Sequence, residues 1–404
     1  MKKILLTWEL GGELGHLAQL SALARALGER GHRVTLALRD LAQAHRFFAD
    51  TDAVLLQAPV WLPRMSMQRP ITCLADTLQL QGYLETATLH SLVRAWRALI
   101  DMVAPDLIAC DYSPTALIAA RGIAVPRIVI GTGFAEPPPG RPIAVWRQGP
   151  DAAALAARQE TRVVRTINSV LERERLPAIA ALSDLYTAAA TFITTFPELD
   201  VYAGQRRDAT YCVPHAAAAT LPPALWPDSP APRILAYVKP DYPYLAAVLN
   251  ALSRSGACVF VVCPGADPAL LQPFVSTGFA FTNAVVDLKT ALEAAACFVA
   301  HGAGALAQSL LAGKPVLALP MQQEQLLAGT KIQALGLGKV LARIDSSEQV
   351  GAAIAELLAE PRYRAEAHSF CERHEPMRGV CASAQIAARC ETLTAGNDSA
   401  GRGC

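Results

Sequence analysis

The regular alternation of short apolar segments with amphipathic ones limits the fold of this chain more than any other feature of its sequence. An opening apolar segment, KKILLTW, precedes a helical pattern in which Leu17, Leu20, Leu23 and Leu27 share one face. Gly31 ends that pattern, and further apolar segments follow as HRVTLAL, AVLLQ, DLIAC and RIVI. Near-continuous apolar strands separated by helices are typical of a parallel sheet with helices on both faces. The sequence therefore predicts an α/β fold.

The alternation begins again after a proline-rich segment, PHAAAATLPPALWPDSPAP, at residues 214–232. The new apolar segments are RILAYV, CVFVVC, FAFT, CFVA, PVLAL and GKVL. We therefore predict two doubly wound, Rossmann-like domains over residues 1–215 and 233–390, a linker at 216–232 and a frayed tail at 391–404. Ligands of such domains bind at the carboxyl ends of the strands, so we expect these two edges to face each other across a cleft.

Two long segments of the first half, residues 59–104 and 133–190, lack strand patterns. The second contains a proline-rich turn, AEPPPGRPIAVW, and a polar helical pattern, AARQETRVVRTINSVLERERL. Insertions of this length in an α/β domain are typical of lids and substrate-binding surfaces. We therefore predict that both insertions belong to the first domain and help to bind a substrate.

Composition and charge exclude several classes of protein. The chain of 404 residues is 52% hydrophobic and 18% charged, which is typical of a globular protein. A formal charge of +1 without any clustered basic run argues against a nucleic-acid partner. No apolar segment is long enough to span a bilayer, and the N-terminal one is too short for a signal peptide. The ten cysteines lie mainly in strand-like segments without metal-site spacing, so we expect a cytoplasmic protein with reduced, buried thiols and no metal site.

The most informative segment of the second half is CFVAHGAGALAQSLLAGKPVLALPMQQEQ. A predicted strand ends at His301, and Gly302-Ala303-Gly304 leads into a helix. Exposed N–H groups at such a helix start form an anion site, to which a strand-end histidine can add a hydrogen bond. The polar run that follows the next strand, from Gln322 to Gln325, suits a polyhydroxylated ligand such as a sugar. An ordinary strand–helix–strand turn explains the same spacing, and the pattern alone leaves both interpretations open.

This segment resembles the donor-binding signature of GT-B glycosyltransferases, in particular the inverting family-1 type that uses nucleotide-diphosphate sugars. The resemblance implies that a nucleotide-sugar diphosphate contacts the histidine turn and that the acid–glutamine pair holds sugar hydroxyls. The segment departs from this signature because Ala305 or Leu306 stands where these enzymes carry a serine or threonine. Because that hydroxyl is lost, we also expect the lysine that follows the predicted strand RILAYV to contact the phosphate. The implied donor-binding residues are Lys239, His301, Gly302, Ala303, Gly304, Ala305, Glu324 and Gln325.

The first half resembles the same enzymes independently. GELGHLAQLSALARALGERGHRVTLAL is similar to their amino-terminal histidine segment, and PDLIACDYSPTALIAARGIAVPRIVI to the segment that supplies an acid. The resemblance implies that His16 is the catalytic base, oriented by Asp111, and that sugar transfer proceeds by a single displacement with inversion. It also implies that the C-terminal helices pack back toward the first domain. A helix-start histidine that bonds its own first turn remains the alternative for His16.

The resemblance implies a nucleotide sugar activated by UDP or dTDP and a small-molecule acceptor, with no further cofactor. We expect the acceptor to lie on the first domain and to be partly apolar, and the chain to act as a monomer or homodimer. Two other functions stay open, a nucleotide-sugar 2-epimerase on the same fold and a silent partner that only binds the nucleotide sugar. The residues expected to line the acceptor cleft are Trp8, Glu9, Phe134 and Trp146.

Overall fold

The computed structural model describes residues 1–12, 14–63, 65–147, 149–213 and 221–400, the last five of these without side chains. Its chain divides into two compact units. The first contains Met1–Cys212 together with the C-terminal segment from Ala382, and the second spans Val213–Cys381. The two predicted Rossmann-like domains are therefore confirmed as separate units of structure.

The first unit is built on a parallel sheet of seven strands in the order β3-β2-β1-β4-β5-β6-β7. The strands are β1 (Lys3–Trp8), β2 (Arg33–Leu38), β3 (Val54–Gln57), β4 (Leu107–Asp111), β5 (Arg127–Gly131), β6 (Ala190–Ile193) and β7 (Ala209–Tyr211). The helices are α1 (Leu14–Glu29), α2 (His45–Phe48), α3 (Leu74–Gln79), α4 (Thr86–Val103), α5 (Pro114–Ala119) and α6 (Ala152–Arg173), with a 3-10 helix at Leu182–Tyr186.

The core of this unit follows the predicted pattern. All four leucines that share one face of α1 are buried, and they pack with the apolar residues of β1, β2 and β4. Gly31 has a φ of +77°, a left-handed conformation that ends the turn after α1 without the strain a side chain would cause. The sequence did not predict β6 and β7, which are only four and three residues long and form the last two strands at one side of the sheet.

The second unit contains a parallel sheet of six strands in the order β10-β9-β8-β11-β12-β13. The strands are β8 (Arg233–Tyr237), β9 (Cys258–Val262), β10 (Phe279–Thr282), β11 (Cys297–Ala300), β12 (Val316–Ala318) and β13 (Gly338–Val340). The helices are α7 (Leu245–Ser253), α8 (Pro268–Leu271), α9 (Leu288–Ala294), α10 (Ala303–Leu311), α11 (Gln323–Ala334), α12 (Ser347–Ala359), α13 (Pro361–Arg373) and α14 (Glu375–Arg378), with a 3-10 helix at Gln272–Phe274. Each of the six apolar segments predicted here forms a strand.

The last helix, α15 (Ala382–Ala400), belongs to the first unit, in agreement with the expectation that C-terminal helices pack back toward the first domain. Its buried Ile386 and Cys390 join the apolar core beneath α1. Two boundary predictions are corrected by this packing. The second domain ends before Ala382 rather than at residue 390, and Thr394 is buried, so residues 391–395 are packed rather than frayed.

The predicted linker at 216–232 lies partly outside the described residues, which omit 214–220. The rest of it is attached to the second unit. The carbonyl of Pro222 accepts a hydrogen bond from Asp287 N–H at 3.0 Å, and the Trp226 ring packs against Phe260 with centroids 5.8 Å apart. Residues 401–404 of the predicted tail also lie outside the described part.

Candidate functional site

The carboxyl ends of β1 and β4 carry the catalytic residues predicted in the first unit. These strands are neighbours, and Trp8 at the end of β1 pairs in register with Asp111 at the end of β4. The turn after β1 leads into α1, whose third residue is His16. Parallel pairing therefore brings together two residues that are 95 positions apart in the sequence.

His16 and Asp111 form a hydrogen-bonded pair. The imidazole Nδ1 lies 3.0 Å from both carboxylate oxygens, and the side chains are 22% and 1% exposed. A neutral imidazole in this arrangement donates its Nδ1 proton to the carboxylate, which leaves the lone pair on Nε2. This is the geometry that a carboxylate-oriented general base requires. The structure thus brings together the two residues of the predicted dyad.

Three neighbours fix the orientation of the His16 ring. The indole of Trp8 stacks on it with centroids 5.2 Å apart and planes inclined by 20°. Gly11 has a φ of +84°, and a Cβ there would lie 2.7 Å from His16 Nε2, so only glycine allows this approach. Gln19, one turn further along α1, donates from Nε2 to Asp111 Oδ2 at 3.4 Å. Sequence reasoning missed the role of Gln19, although its i+3 spacing from His16 places both on one helix face.

The residues predicted to line an acceptor cleft are mostly buried, which corrects that part of the prediction. Trp8, Glu9 and Trp146 are only 3%, 2% and 3% exposed. The rings of Phe134 and Trp146 stack on each other with centroids 3.9 Å apart. Glu9 turns its carboxylate toward the start of α5, where it accepts a hydrogen bond from Thr115 N–H at 2.8 Å. Trp8, Glu9 and Trp146 are therefore packed inside the first unit rather than lining an open surface, whereas Phe134 is partly exposed.

Burial changes the titration of Glu9. Desolvation raises the pKa of its carboxyl from 4.5 to about 7, against the opposing effects of hydrogen bonds from Thr115 and the positive charge of Arg39. Tyr83, from the first insertion, lies next to this carboxyl and hydrogen-bonds the Thr115 hydroxyl at 2.7 Å. Sequence reasoning connected neither Thr115 nor Tyr83 with Glu9, because nothing in their local pattern distinguishes them from packing residues.

The predicted donor-binding residues of the second unit also meet at one sheet edge. Strand β11 lies between β8 and β12, so Lys239, His301 and the polar run that begins at Gln322 follow three adjacent strand ends. Gly302 is the N-cap of α10 and has extended backbone, and its side-chain-free geometry leaves the first N–H groups of the helix accessible. A Cβ added at Gly302 or Gly304 would meet nothing within 4 Å. The space above the start of α10 is therefore open.

His301 itself is buried, at 2% exposure, and a direct contact between its ring and a phosphate stays a prediction. Its Nδ1 donates to the carbonyl of Leu319 at 2.5 Å, and its Nε2 accepts from the N–H of Lys239 at 3.3 Å. Both ring nitrogens are thus used by backbone groups of the flanking strand ends. In this conformation His301 holds the three strand ends together and positions the turn that opens α10.

The two predicted sugar-binding residues on α11, Glu324 and Gln325, differ in their burial. Gln325 is 4% exposed, and its Oε1 accepts a hydrogen bond from Met321 N–H at 2.7 Å. This bond fixes the turn between β12 and α11 and commits the amide oxygen that was predicted to contact a sugar. Glu324 precedes it in the first turn of α11 and is half-buried. Of the predicted sugar-binding pair, Glu324 therefore presents the more accessible polar group.

In the part of the chain that the structure describes, no three or more His, Cys, Asp or Glu side chains are grouped so as to hold a metal ion. Among the described helices, none is both long enough and apolar enough to cross a membrane. Each described cysteine is free, and all except Cys381 are buried.

Comparison with known proteins gives consistent relatives in sequence. The chain is 25% identical over 370 residues to a zeaxanthin glucosyltransferase of Pseudescherichia vulneris, covering 85% of this chain and 88% of that protein. It is 26% identical over 299 residues to a PGL/p-HBAD biosynthesis rhamnosyltransferase of Mycobacterium bovis, covering 69% of this chain and 65% of the relative. No protein-family model matches the chain.

Solved structures match the chain along almost its whole length. The calicheamicin glycosyltransferase CalG4 superposes with a TM-score of 0.73 at 18% identity, covering 97% of this chain and 98% of CalG4. The spinosyn rhamnosyltransferase SpnG, in a complex with thymidine diphosphate, superposes with a TM-score of 0.66 at 16% identity, covering 97% of this chain and all of SpnG.

Proposed function

We propose that this chain, which has the GT-B fold of these structures and resembles glycosyltransferases in sequence, transfers a sugar from a nucleoside-diphosphate donor to a hydroxyl group of a small-molecule acceptor. The observation that carries the proposal is the His16–Asp111 pair, with 3.0 Å from Nδ1 to each carboxylate oxygen, at the carboxyl edge of the first sheet. The glycosyltransferases similar to this chain in sequence and fold support the reaction class.

In the proposed reaction, Nε2 of His16 takes the proton of the acceptor hydroxyl. The acceptor oxygen then forms a bond to the anomeric carbon of the sugar while the bond from that carbon to the diphosphate oxygen breaks. Asp111 stabilises the imidazolium that forms, since its buried carboxylate remains beside Nδ1. An unperturbed imidazole has a pKa of about 6.5, so it serves as a base near neutral pH. A single displacement of this kind inverts the anomeric configuration.

The second unit would bind the donor through main-chain groups. The first N–H groups of α10, at Ala303, Gly304 and Ala305, together with the helix dipole, attract the diphosphate and stabilise it as it leaves. The open space at Gly302 and Gly304 gives phosphate oxygens access to these groups. Lys239 at the adjacent strand end would supply a positive charge, and Glu324 would hold sugar hydroxyls.

The names and ligands of the similar proteins support a proposal for the donor nucleotide and the acceptor class. SpnG and VinC were each solved with a thymidine diphosphate, which favours dTDP or the closely related UDP as the donor nucleotide. The name zeaxanthin glucosyltransferase describes a relative whose acceptor is apolar. We therefore propose an apolar acceptor that carries a hydroxyl group. The relatives are transferases, so they do not favour the 2-epimerase or the silent partner.

The test begins with nucleotide binding. Titration calorimetry and thermal shift against dTDP, UDP and GDP should give binding of one of the first two, and a ligand at 100 times its Kd should stabilise the folded state by about 2.7 kcal/mol. Absence of binding by all three would contradict the donor site.

The second step measures transfer to hydroxylated apolar acceptors with the sugar nucleotide so identified. We expect His16→Ala to lower kcat by about 10² to 10⁴ while nucleotide binding is unchanged. His368→Ala is the matched control, because that histidine is 70% exposed on α13 of the other unit. Sugar isomerisation without an acceptor would instead indicate the epimerase, and unchanged kcat in His16→Ala would exclude His16 as the base.

A further inference from the structure

Glu9 is a buried acid that the proposed reaction does not use. It follows Trp8 directly at the end of β1 and is 2% exposed. One carboxylate oxygen, Oε2, accepts a hydrogen bond from Thr115 N–H at 2.8 Å, and Oε1 accepts one from the Thr115 hydroxyl. Thr115 lies in the first turn of α5, the helix that begins just after Asp111. Glu9 therefore ties the end of β1 to the start of the helix that follows β4.

A second connection joins the same two strand ends. The N–H of Leu10 donates to the carbonyl of Tyr112 at 3.0 Å, and Tyr112 has a left-handed φ of 44°. Such a conformation is strained for a residue other than glycine and persists only where neighbouring contacts hold it. Two connections thus hold the turn from Asp111 to Thr115 against the end of β1, one through the Glu9 side chain and one through the Leu10 N–H.

We propose that ionised Glu9 is a positioning residue for the His16–Asp111 pair. It holds the turn that carries Asp111 against the strand end that carries Trp8, and Trp8 stacks on the imidazole of His16. Both partners of the pair are then fixed by one carboxylate that contacts neither of them. The inference rests on the proposed function only for its kinetic consequence, because the geometry of the pair is measurable without a substrate.

The hydrogen-bond directions explain why the charge of Glu9 matters. As a carboxylate it can only accept, so Thr115 donates both its N–H and its hydroxyl proton to it. The Thr115 oxygen then accepts from Tyr83 O–H at 2.7 Å, which connects the first insertion to the same network. A protonated Glu9 or a glutamine presents a donor to the Thr115 oxygen and reverses this order.

The charged and titratable groups around Glu9 come from three parts of the first unit. Arg39, after β2, donates to the Glu9 carbonyl at 2.9 Å, and its positive charge favours the carboxylate. The Tyr83 hydroxyl and the Cys110 thiol of β4 are both held neutral by burial, which raises the pKa of each. The pKa of the Glu9 carboxyl is about 7, so the network changes its protonation near neutral pH.

The first experiment titrates His16 by NMR in protein labelled at histidine carbons. The signal of His16 is identified by its absence in His16→Ala, among the eight histidines of the chain. In Glu9→Gln we expect the pKa of His16 to fall by about one pH unit, which corresponds to a tenfold weaker preference for the imidazolium beside Asp111. A purely structural role would lower the melting temperature but leave this titration unchanged.

Matched variants separate positioning from loss of packing. Asp76→Asn changes another fully buried carboxylate of the first unit, one that pairs with Arg69 and the Thr72 hydroxyl. It should leave the His16 titration as in the wild type, whatever its effect on stability. Thr115→Val should lower the pKa of His16 by part of the amount expected for Glu9→Gln. Thr115→Ser keeps the hydroxyl, so His16 should titrate in it as in the wild type. Identical His16 titrations in wild type and Glu9→Gln would overturn the proposal.

The kinetic readout is the acid limb of the pH profile of kcat. In the wild type, protonation of His16 and of Glu9 should both lower kcat, so the slope of log kcat against pH should approach two. In Glu9→Gln the slope should approach one. A slope of two in Glu9→Gln would overturn the kinetic role of Glu9. A wild type that transfers no sugar but shows the NMR effect would contradict the proposed function and support the inference about Glu9.

Discussion

The two units use a histidine beside a glycine-containing turn in opposite ways. In the first unit, His16 is 22% exposed at its side chain and directs Nδ1 at a buried carboxylate. In the second unit, His301 is 2% exposed and directs both ring nitrogens at backbone groups. The same residue type after a strand therefore supplies a candidate base in one sheet and a structural support in the other.

The difference lies in what stands at the neighbouring strand end. His16 meets Asp111, a charged group that can stabilise a proton gained by the ring. His301 meets the Leu319 carbonyl and the Lys239 N–H, which together favour one neutral tautomer. In the proposed function, the diphosphate is therefore bound by main-chain N–H groups at the start of α10, where Gly302 and Gly304 leave open space.

The largest effect should come from removing the charge that distinguishes the first histidine. Asp111→Asn keeps the size of the side chain but cannot stabilise an imidazolium, so kcat should fall by about 10³-fold, or about 4 kcal/mol. Steady-state kinetics at saturating substrates measure this, and nucleotide affinity should not change. Asp50→Asn, at a carboxylate 58% exposed beside Arg25, is the control. A loss of less than tenfold would remove the contrast between the two histidines.

A second prediction concerns the stability cost of the charge that we assign to Glu9. Its pKa rises from 4.5 unfolded to about 7 folded, so the folded state binds this proton more tightly. Stability from this group is therefore present at low pH, decreases as pH rises from about 4.5 to 7, and is level above. Glu9→Gln does not titrate, so its stability relative to wild type should rise by about 3 kcal/mol between pH 4.5 and 8. Denaturant titrations measure the unfolding free energy of both proteins against pH. Parallel curves for the wild type and Glu9→Gln would contradict the burial of an ionisable Glu9.

The supporting role of His301 predicts a loss of stability together with a loss of binding. His301→Ala would leave the Leu319 carbonyl and the Lys239 N–H without this partner, which should destabilise the second unit by about 2 kcal/mol. Denaturant unfolding and nucleotide calorimetry on the same variant measure both quantities. Weaker nucleotide binding with unchanged stability would show instead that His301 acts on the phosphate directly, as His16 is proposed to act on the acceptor.

The smallest effect sharpens the role of the glycines. Gly304→Ala places a Cβ in space that no protein atom occupies within 4 Å, so the fold should be unaffected or slightly stabilised. If a diphosphate occupies that space, its affinity should fall about tenfold, or about 1.4 kcal/mol. Gly351→Ala on α12 is the matched control, because a Cβ there also meets nothing within 4 Å. Equal affinities for both variants would place the nucleotide elsewhere.

The sequence by itself determined the class of fold, the number of units and nearly every strand. Periodicity in a parallel α/β protein is a local property, since each strand is apolar along its length and each helix on one face. That is why α1 and the six strands of the second unit were predictable from short segments. The glycine-rich turn before α1 drew attention to His16, and the family resemblance supplied its role as a base and its partner Asp111.

Only the tertiary structure decided what those residues contact. Whether a strand-end histidine is exposed or buried depends on the two neighbouring strand ends, which are distant in sequence, as Leu319 and Lys239 are for His301. The return of α15 to the first unit and the burial of Glu9 against Thr115 have the same origin. Long-range packing sets the burial and hydrogen bonds of each polar group, and through them its charge, so these assignments require the folded chain.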